Sequence, residues 1–462
     1  MLSCQRCRPM RIPDPIINKA LSLATRNYLT NRRVRKTVQR ATKSPFYRKR
    51  FAESGLQPKK IKNVKTLQQQ LPMTTRQDIT LVNTNPYDLL CVDPAKEPLI
   101  FGSTSGSTTG EPVPVFMTVK ELNKAVSLAL KLPVFSLLKR SDRAALAFPM
   151  VRTFAGRTAD LMVQKRGAMV IPLGTRTNIN PPPQQAQTIL SLKPTLLGVI
   201  PSDGFALAQI LLDQGVDPKS IGVDKVIIGA EPCAPSRMER LKEIWGASYI
   251  FNFAGQNEVG LPGIPCVHGN QHIPTIAMHI EMASPKNSPA DKEIDHVGLG
   301  EVGVPIITPL NRVAMPVLRY WTDDLVRLGS PDECPCGLPF PLYQLMGRVH
   351  TAINGTQNQP ERRIMPIELE NLLFQEPVFG VWYRIELWDD RVHLTVEHRY
   401  KEDKADLEAS ISKRFEENLA TTCTTDVVPL GTLYNYQDVR PGKPMSRLVD
   451  HRQGKEEYVE EG

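Results

Sequence analysis

The fold of this chain is decided by one stretch, Ser103-Thr104-Ser105-Gly106-Ser107-Thr108-Thr109-Gly110-Glu111-Pro112. Eight of these ten residues are Ser, Thr or Gly, so the backbone can bend tightly and come close to a ligand. Hydroxyl and main-chain N–H groups on such a loop can surround phosphate oxygens. A short apolar run at 98–101 precedes the stretch, and Thr118 with Glu121 forms a capping box that would open a helix after it. A serine-rich linker would have polar flanks, so we predict a phosphate-binding loop.

The composition is that of an ordinary globular protein. The 462 residues suffice for two or three domains, and no apolar run approaches the roughly 20 residues that a membrane span needs. The net charge is +9, and basic residues are dense in the run 32–50. Because Val34, Val38 and Tyr47 recur in this run at helical spacing, it favours a solvated helix face over a nucleic-acid site. We therefore expect a cytoplasmic protein without nucleic-acid or membrane partners.

The order of apolar and polar segments predicts an α/β fold. From about 120 to 260, short apolar runs alternate with amphipathic stretches, which indicates a mostly parallel sheet covered by helices. The predicted strands are 144–148, 168–172, 196–200, 225–229 and 249–253, and the predicted helices between them are 184–192, 204–212 and 235–245.

Two further regions complete the predicted organisation. Residues 261–346 are rich in Pro, Gly, Cys and His, and they read as a small β subdomain of a large N-terminal domain, 1–347. Residues 348–462 read as a small α+β domain. Within it we predict helices at 367–374 and 404–418 and a β-hairpin of strands 381–388 and 392–399.

The loop resembles the phosphate loop of adenylate-forming ligases, which ends in Thr-Thr-Gly-Lys-Pro, although Glu111 stands where those enzymes usually have Lys. The phrases RKTVQRATKSPFYRKRFAESG (35–55) and LPMTTRQDI (71–79) are similar to the opening of phenylacetate–coenzyme A ligases, a branch of that superfamily. This resemblance implies that ATP and a carboxylic acid, aromatic or small, give an acyl adenylate, whose acyl group then passes to coenzyme A. It also implies that the small domain, 348–462, is mobile. A homodimer is possible, because related ligases often form one.

Two phrases near the middle of the chain match the family in order. The first is Gly229-Ala230-Glu231-Pro232, which the resemblance places beside the adenine. The second is FAGQNEVG (253–260), in which Glu258 matches the carboxylate that holds magnesium. A hard cation such as Mg²⁺ prefers carboxylate and phosphate oxygens. Here Ala254 replaces the aromatic residue that usually stacks on adenine, and Asn257 replaces the hydroxyl that contacts the α-phosphate.

Two later phrases carry charged residues. In RYWTDDL (319–325), Asp324 matches the acid that accepts both ribose hydroxyls, and Arg348 matches a cation near ribose and phosphate. In RPGKPMSR (440–447), Lys443 matches the late catalytic lysine of the family. A fixed ammonium there would stabilise charge that develops on the α-phosphate during adenylation.

A metal site is predicted from cysteine and histidine spacing. Cys266, His272, Cys334 and Cys336 form a C-x5-H…C-x-C pattern. Three thiolates and one imidazole make a closed tetrahedral set typical of structural Zn²⁺. His268 remains an alternative to His272, and reduced thiols without a metal remain an alternative to the site.

Two alternative functions remain open. The adenylated acid could pass to an amine, a carrier protein or another nucleophile, or the chain could be a nucleotide-binding homologue without activity. The retained charges Glu258, Asp324, Arg348 and Lys443 favour an enzyme over a non-catalytic homologue, because structural scaffolding gives no reason to keep them.

Overall fold

A computed structural model describes most of the chain, in the ranges 23–81, 83–104, 111–291, 293–356, 358–359, 362–378, 380–399, 404–437, 447–452 and 457–459. Residues 105–110 of the predicted phosphate loop and Lys443 therefore lie outside the described residues.

The described residues form ten α-helices and 21 β-strands, in the order that the predicted α/β pattern requires. The helices are α1 Leu23–Ala41, α2 Pro45–Glu53, α3 Val64–Gln70, α4 Val119–Ala129, α5 Phe154–Lys165, α6 Pro182–Leu192, α7 Pro201–Asp213, α8 Pro235–Trp245, α9 Pro366–Leu373 and α10 Lys404–Leu419. The first strands are β1 Leu99–Ser103, β2 Pro114–Thr118, β3 Arg143–Leu146, β4 Met169–Pro172, β5 Leu196–Val199, β6 Lys225–Gly229, β7 Tyr249–Gln256, β8 Gly260–Pro265, β9 Gln271–His272 and β10 Met278–Ala283. The remaining strands are β11 Val302–Pro309, β12 Tyr320–Trp321, β13 Asp324–Gly329, β14 Leu342–Arg348, β15 Ile353–Asn354, β16 Arg363–Ile364, β17 Tyr383–Leu387, β18 Arg391–His398, β19 Thr422–Pro429, β20 Leu448–Asp450 and β21 Glu457–Val459.

The predicted parallel sheet is present. Strands β4, β3, β5, β6 and β7 lie side by side and all four pairings between them are parallel. Helices α6, α7 and α8 connect them, and α8 has the bounds predicted from the sequence. Nearly every residue of α7 is buried, so this helix lies in the interior rather than on a solvent-facing layer. The predicted α/β fold class is confirmed.

The Pro- and Gly-rich region continues the same sheet. After Gln256 the strands become antiparallel, and the sheet runs on from β7 through β8, β9, β14, β13 and β11 to β10, twelve strands in all with β12 beside β11. Short antiparallel segments therefore extend the parallel layer instead of packing as a separate sheet. This arrangement places the ends of β7, β13 and β14 close together, where the candidate site lies.

The C-terminal part is a second α+β unit. Its five strands run in the order β19-β18-β17-β20-β21, and β17 and β18 form the predicted hairpin. Helix α10 buries Leu407, Ile411, Phe415 and Leu419, which are four residues apart and so lie on one face of the helix. Below, the large lobe means the described residues up to Arg348, and the small lobe means those from Val349 onward.

The basic N-terminal run packs on the large lobe. Val34, Val38 and Tyr47 are buried as the helical spacing predicted. Arg33 donates to the carbonyl of Ile276, and Arg40 donates to the carbonyl of Arg312 at 2.5 Å. Some of these cations therefore fix main-chain segments of the protein itself. No helix in the described ranges is long and apolar enough to cross a membrane.

Candidate active site

The described ends of the predicted phosphate loop close a hairpin. Strands β1 and β2 are antiparallel, with Ser103 opposite Pro114. The amide of Thr104 donates to the carbonyl of Val113 at 3.1 Å, and the amide of Val113 donates to the Thr104 hydroxyl at 3.0 Å. Both predicted flanks are confirmed, since Thr118 and Glu121 form the capping box that begins α4.

Two arginines hold the base of this hairpin. Arg76 donates to the Thr104 hydroxyl at 3.1 Å and to the carbonyl of Glu111 at 3.0 Å. Arg152 Nε donates to the Ser103 hydroxyl at 3.0 Å, and the amide of Ser103 donates to the carbonyl of Arg152. Positive charge therefore lies beside the loop although position 111 carries Glu. Neither Arg76 nor Arg152 belongs to the motif from which the loop was predicted.

Asn257 connects three parts of the site. Its Oδ1 accepts from the amide of Phe154, the first residue of α5, at 3.1 Å. Its Nδ2 donates to the carbonyl of Ser103 at 3.1 Å. An amide side chain has its acceptor and its donors on separate atoms, so Asn257 can bond both groups at once. The residue that departs from the family pattern therefore holds the turn after β7 against the phosphate hairpin.

Glu258 is buried between polar neighbours. Its Oε1 accepts from the Tyr320 hydroxyl at 3.1 Å. Arg312 Nη2 donates to the carbonyl of Asn257 at 2.8 Å, which places a guanidinium beside the same turn. Burial lowers the pKa of Arg312, while the charges of Glu121 and Glu258 act against that shift. A buried carboxylate next to the phosphate hairpin has the chemistry that a magnesium ligand needs.

Asp324 and Arg348 form an ion pair at the predicted ribose position. They lie opposite each other on β13 and β14, and Arg348 Nε is 2.9 Å from Asp324 Oδ1. Gln256 Nε2 donates to Asp324 Oδ2 at 2.8 Å. Burial raises the pKa of Asp324 to about 6, and the charge of Arg348 opposes this shift. The sequence does not single out Gln256, because a glutamine at the end of a strand carries no signal of its own.

The adenine motif follows β6 in a tight turn. Ala230 has a φ of 67°, in the left-handed region that side chains rarely adopt. The Glu231 carboxylate does not face open space. It accepts from the amide of Ser202 at 3.1 Å and from Arg237 Nη1 at 2.9 Å, and it pairs with Arg447. The Glu231 carboxylate is therefore occupied by partners within the protein.

The predicted metal ligands converge. Ligand atoms of Cys266, His272, Cys334 and Cys336 all lie within 4.8 Å of one another. The Cys266 and Cys334 sulfurs are 3.7 Å apart, close to the ~3.8 Å that two thiolates on one tetrahedral Zn²⁺ require. His272 Nε2 is 3.3 Å from the Cys336 sulfur, and Nδ1 lies 2.8 Å from the carbonyl of Phe340.

The choice between the two candidate histidines follows from this geometry. His272 is buried, and a bond from its Nδ1–H to Phe340 would leave Nε2 free as a ligand. His268 is exposed and lies outside the cluster. Burial acts to raise the pKa of Cys334, but hydrogen bonds from Asn270, the Cys336 amide and His272 outweigh it and lower the pKa to about 6. The donor set fits a thiophilic cation.

Four aromatic residues in the segments 148–154 and 251–253 are candidates to line a pocket for the acid, and the structure brings only some of them together. Phe154, Phe251 and Phe253 belong to one apolar cluster, and Phe253 lies 6.0 Å from Phe135. Phe148 instead packs beside Gly198 in the parallel sheet, where any side chain at position 198 would contact its ring. Three of the four aromatic candidates therefore lie together near the turn after β7.

Comparison with known proteins gives the relationship. No protein-family model matches the chain. It is 26% identical over 396 residues to a phenylacetate–coenzyme A ligase of Thermus thermophilus, covering 83% of this chain and 81% of that ligase. A phenylacetate–coenzyme A ligase of Escherichia coli is 27% identical over 323 residues, which is 68% of this chain and 69% of that ligase. The chain is similar in sequence to phenylacetate–coenzyme A ligases. The resemblance predicted from the sequence is confirmed.

Solved structures share the fold of this ligase-like chain. A 2-hydroxyisobutyryl-CoA ligase in the postadenylation state, in complex with 2-HIB-AMP, superposes with a TM-score of 0.79 at 19% identity over 93% of this chain and 90% of that chain. The same ligase in an open conformation gives a TM-score of 0.64 at 19% identity over 92% of both chains. Coverage of this chain hardly differs between the two structures, so they share its fold to a different degree of superposition.

Proposed function

We propose that this chain is an ATP-dependent, AMP-forming carboxylate ligase that adenylates an aromatic or small organic acid and transfers the acyl group to coenzyme A. The relationship to phenylacetate–coenzyme A ligases supports the reaction class. One structural observation carries the assignment of the site. Three consecutive side chains connect the predicted ribose, phosphate and metal groups: Gln256 bonds Asp324, Asn257 bonds Ser103, and Glu258 bonds Tyr320.

The first step needs charge stabilisation. A carboxylate oxygen of the acid attacks the α-phosphorus of ATP, the bond from that phosphorus to the bridging oxygen breaks, and pyrophosphate leaves with the electron pair. Both reactants are anions, so fixed cations must offset their repulsion. We assign Asp324 to the ribose hydroxyls, Arg348 to ribose and phosphate, and Lys443 to the α-phosphate. The main chain of Gly229–Pro232 would lie beside the adenine.

Magnesium would be held by Glu258 and would neutralise charge on the phosphates. Tyr320 and Arg312 are placed to orient that carboxylate and its turn. The hairpin that contains residues 103–110 would surround the phosphate oxygens, with Arg76 and Arg152 fixing its described ends.

In the second step the coenzyme A thiol loses its proton and attacks the acyl carbon, and AMP leaves. We propose that a large domain, 1–347, and a small domain, 348–462, change their relative orientation between the steps. In support, the 2-hydroxyisobutyryl-CoA ligase structures superpose less well in the thioesterification state, with a TM-score of 0.64, than in the postadenylation state.

We also propose a structural Zn²⁺ held by Cys266, His272, Cys334 and Cys336, supported by their spacing in the fold. The ion would tie β8, β9 and the segment before β14 together. Thiolate ligands need a reducing compartment, which fits a cytoplasmic location.

A pyrophosphate-release assay tests the proposal. The purified chain would be given ATP, magnesium and a panel that begins with phenylacetate and includes other aryl and small alkyl acids, with and without coenzyme A. We expect acid-dependent pyrophosphate release, and thioester only when coenzyme A is present. Release without thioester would point to another acyl acceptor, and no turnover with any acid would favour a non-catalytic homologue.

A further inference from the structure

The interface between the two lobes contains a buried group of four charged side chains. Arg447 and Glu370 come from the small lobe, and Glu231 and Arg237 come from the large lobe. Arg447 is 2% exposed, Arg237 1% and Glu370 3%. The adenylation reaction proposed above gives these side chains no role. Buried charges are costly unless they are paired, so their presence needs another explanation.

Bonds between the lobes run in both directions. Arg447 donates to the Ser202 hydroxyl at 2.7 Å and pairs with Glu231. Arg237 Nη1 donates to Glu370 Oε1 at 2.9 Å, and the amide of Ala234 donates to Glu370 Oε2 at 2.6 Å. Each lobe therefore contributes one arginine and one carboxylate to the interface, and each arginine pairs with the carboxylate of the other lobe.

The same four charges also divide into one neutral pair on each lobe. Within the large lobe, Arg237 lies 2.9 Å from Glu231, which also accepts from the amide of Ser202 at the start of α7. Within the small lobe, Arg447 lies 3.6 Å from Glu370. Removing one partner of a buried pair is costly because the other charge is left alone. Separation of these lobes leaves no lone charge on either side.

The small-lobe pair is also supported from within its own lobe. The Arg447 guanidinium lies 3.9 Å from the centre of the Trp382 ring, and the Tyr383 hydroxyl donates to Glu370 at 2.9 Å. The amide of Ile385 donates to the carbonyl of Arg447 at 2.7 Å, which fixes the start of β20. The group can therefore leave the large lobe as a preformed unit.

This group lies next to the candidate site. Glu231 belongs to the turn assigned to adenine, and one cavity is lined by Pro232, Arg348, Glu370 and Tyr383 among others. Arg447 follows Lys443 by four residues, so at most roughly 14 Å of chain separates the two positions. An anchor at Arg447 limits how far the segment before it can move from the site.

We propose that Arg447, Glu370, Glu231, Arg237 and Ser202 form a separable latch that holds the lobes in the orientation used for adenylation. Arg447 is its positioning residue, and the latch opens before the thioester step. The inference rests on the proposed function, since it assigns the latch to one of the two half-reactions. Glu231 serves the latch through its side chain, while its main chain remains in the turn beside the nucleotide.

A competing interpretation is that the lobes never separate. Phe205 of α7 and Phe374 of the small lobe are buried, with ring centres 6.0 Å apart, and Arg237 lies over both rings. Apolar contact of this kind could make the interface permanent, in which case the four charges would contribute to both half-reactions alike.

The test compares the half-reactions in Arg447→Met. Adenylation would be followed as phenylacetate-dependent exchange of pyrophosphate into ATP, or with whichever panel acid the wild-type chain uses best. Thioester formation would be followed separately from synthetic acyl adenylate and coenzyme A. We expect at least tenfold slower exchange and a thioester rate within twofold of wild type. Equal losses in both steps, or no loss in either, would overturn the latch.

Controls separate this result from loss of fold and from failure of the proposed function. Arg414→Met removes an ion pair with Glu376 inside the small lobe and should leave both rates within twofold. Glu231→Gln keeps the side-chain size and carries the test if Arg447→Met does not fold. The double variant should be no slower in exchange than the slower single variant. Absence of turnover in the wild-type chain would contradict the proposed function instead.

Small-angle X-ray scattering gives a readout that does not depend on turnover. Without ligands, Arg447→Met should have a larger radius of gyration than wild type and Arg414→Met, because the lobes separate more often. Identical scattering curves from all three folded proteins would contradict the latch.

Discussion

At the scale of single residues, burial and ion pairing shift the pKa of Asp324 in opposite directions. Burial raises its pKa from 3.8 to about 6, and the nearby charge of Arg348 only partly reverses that shift. A raised carboxyl pKa means that the fold favours the protonated form, so this group's contribution to stability is lost as pH rises from about 4 to 6. If Asp324 binds ribose as proposed, nucleotide binding has the opposite dependence, because only the ionised carboxylate accepts from both ribose hydroxyls.

We therefore predict that AMP binds more tightly as pH rises from 5 to 6, by up to roughly tenfold per pH unit. Calorimetric titration at several pH values would measure this. The matched ligand 2′,3′-dideoxy-AMP has the same phosphate but no ribose hydroxyls, and Asp324→Asn removes the titrating group. Equal pH slopes for the two nucleotides in wild type would show that Asp324 does not bind ribose.

Asn257 is the second residue whose role depends on its contacts. Asn257→Ala removes the acceptor for the Phe154 amide and the donor to the Ser103 carbonyl. Loss of such partners costs about 1–3 kcal/mol per unsatisfied group, so we expect a lower Tm and at least tenfold slower pyrophosphate release. Asn123→Ala is the control, since Asn123 donates only to Val119 within α4 among its described bonds. Equal behaviour of the two variants would rule out the bridging role.

At the scale of elements, the cysteine cluster joins segments that have few contacts of their own. Strand β9 has two residues, and it pairs with β8 and β14 over one or two positions each. A metal bound by Cys266, His272 and the Cys334–Cys336 segment would supply the order that such short strands lack.

We predict that freshly purified, reduced protein contains one Zn²⁺ per chain by elemental analysis. Removal with a chelator, or the change Cys336→Ser, should lower the Tm because β9 loses its attachment. Cys423→Ser in the small lobe is the control, because Cys423 lies in β19, away from the cluster. Metal-free protein with an unchanged Tm after chelation would contradict the site.

The same scale shows what sequence pattern can predict. Strands β3 to β7 and helix α8 were predicted because parallel strands are buried on both faces and leave continuous apolar runs. The continuation of the sheet beyond β7 was not predicted. Strands such as β9 and β12, with two residues each, form only where a neighbouring strand is already in place, so their sequences carry no period that can be read.

At the scale of the whole molecule, the question is whether the small domain moves relative to the large lobe. The sequence predicts a separate, mobile small domain, and the structure shows an interface between the two lobes. The contacts of the small lobe with the large lobe include the latch, the Phe205–Phe374 pair and hydrogen bonds such as Ser236 with Asn371 and Tyr436 with Asp213. Domain bounds of 1–347 and 348–462 stay a prediction, and the half-reaction comparison in Arg447→Met is the measurement that bears on them most directly.

The amino-acid sequence predicted the reaction class through the resemblance of its motifs, and it predicted most candidate site residues because phosphate loops, magnesium carboxylates and thiolate ligands need fixed residue types. It also determined the parallel strands, through their apolar runs. Only the tertiary structure decided that His272 rather than His268 joins the thiols, and that Asn257 and Gln256 connect the site. It alone showed that Glu231 faces Arg447. Glu231 and Arg447 are more than 200 residues apart in the chain. Whether two such charges meet depends on how the elements between them pack.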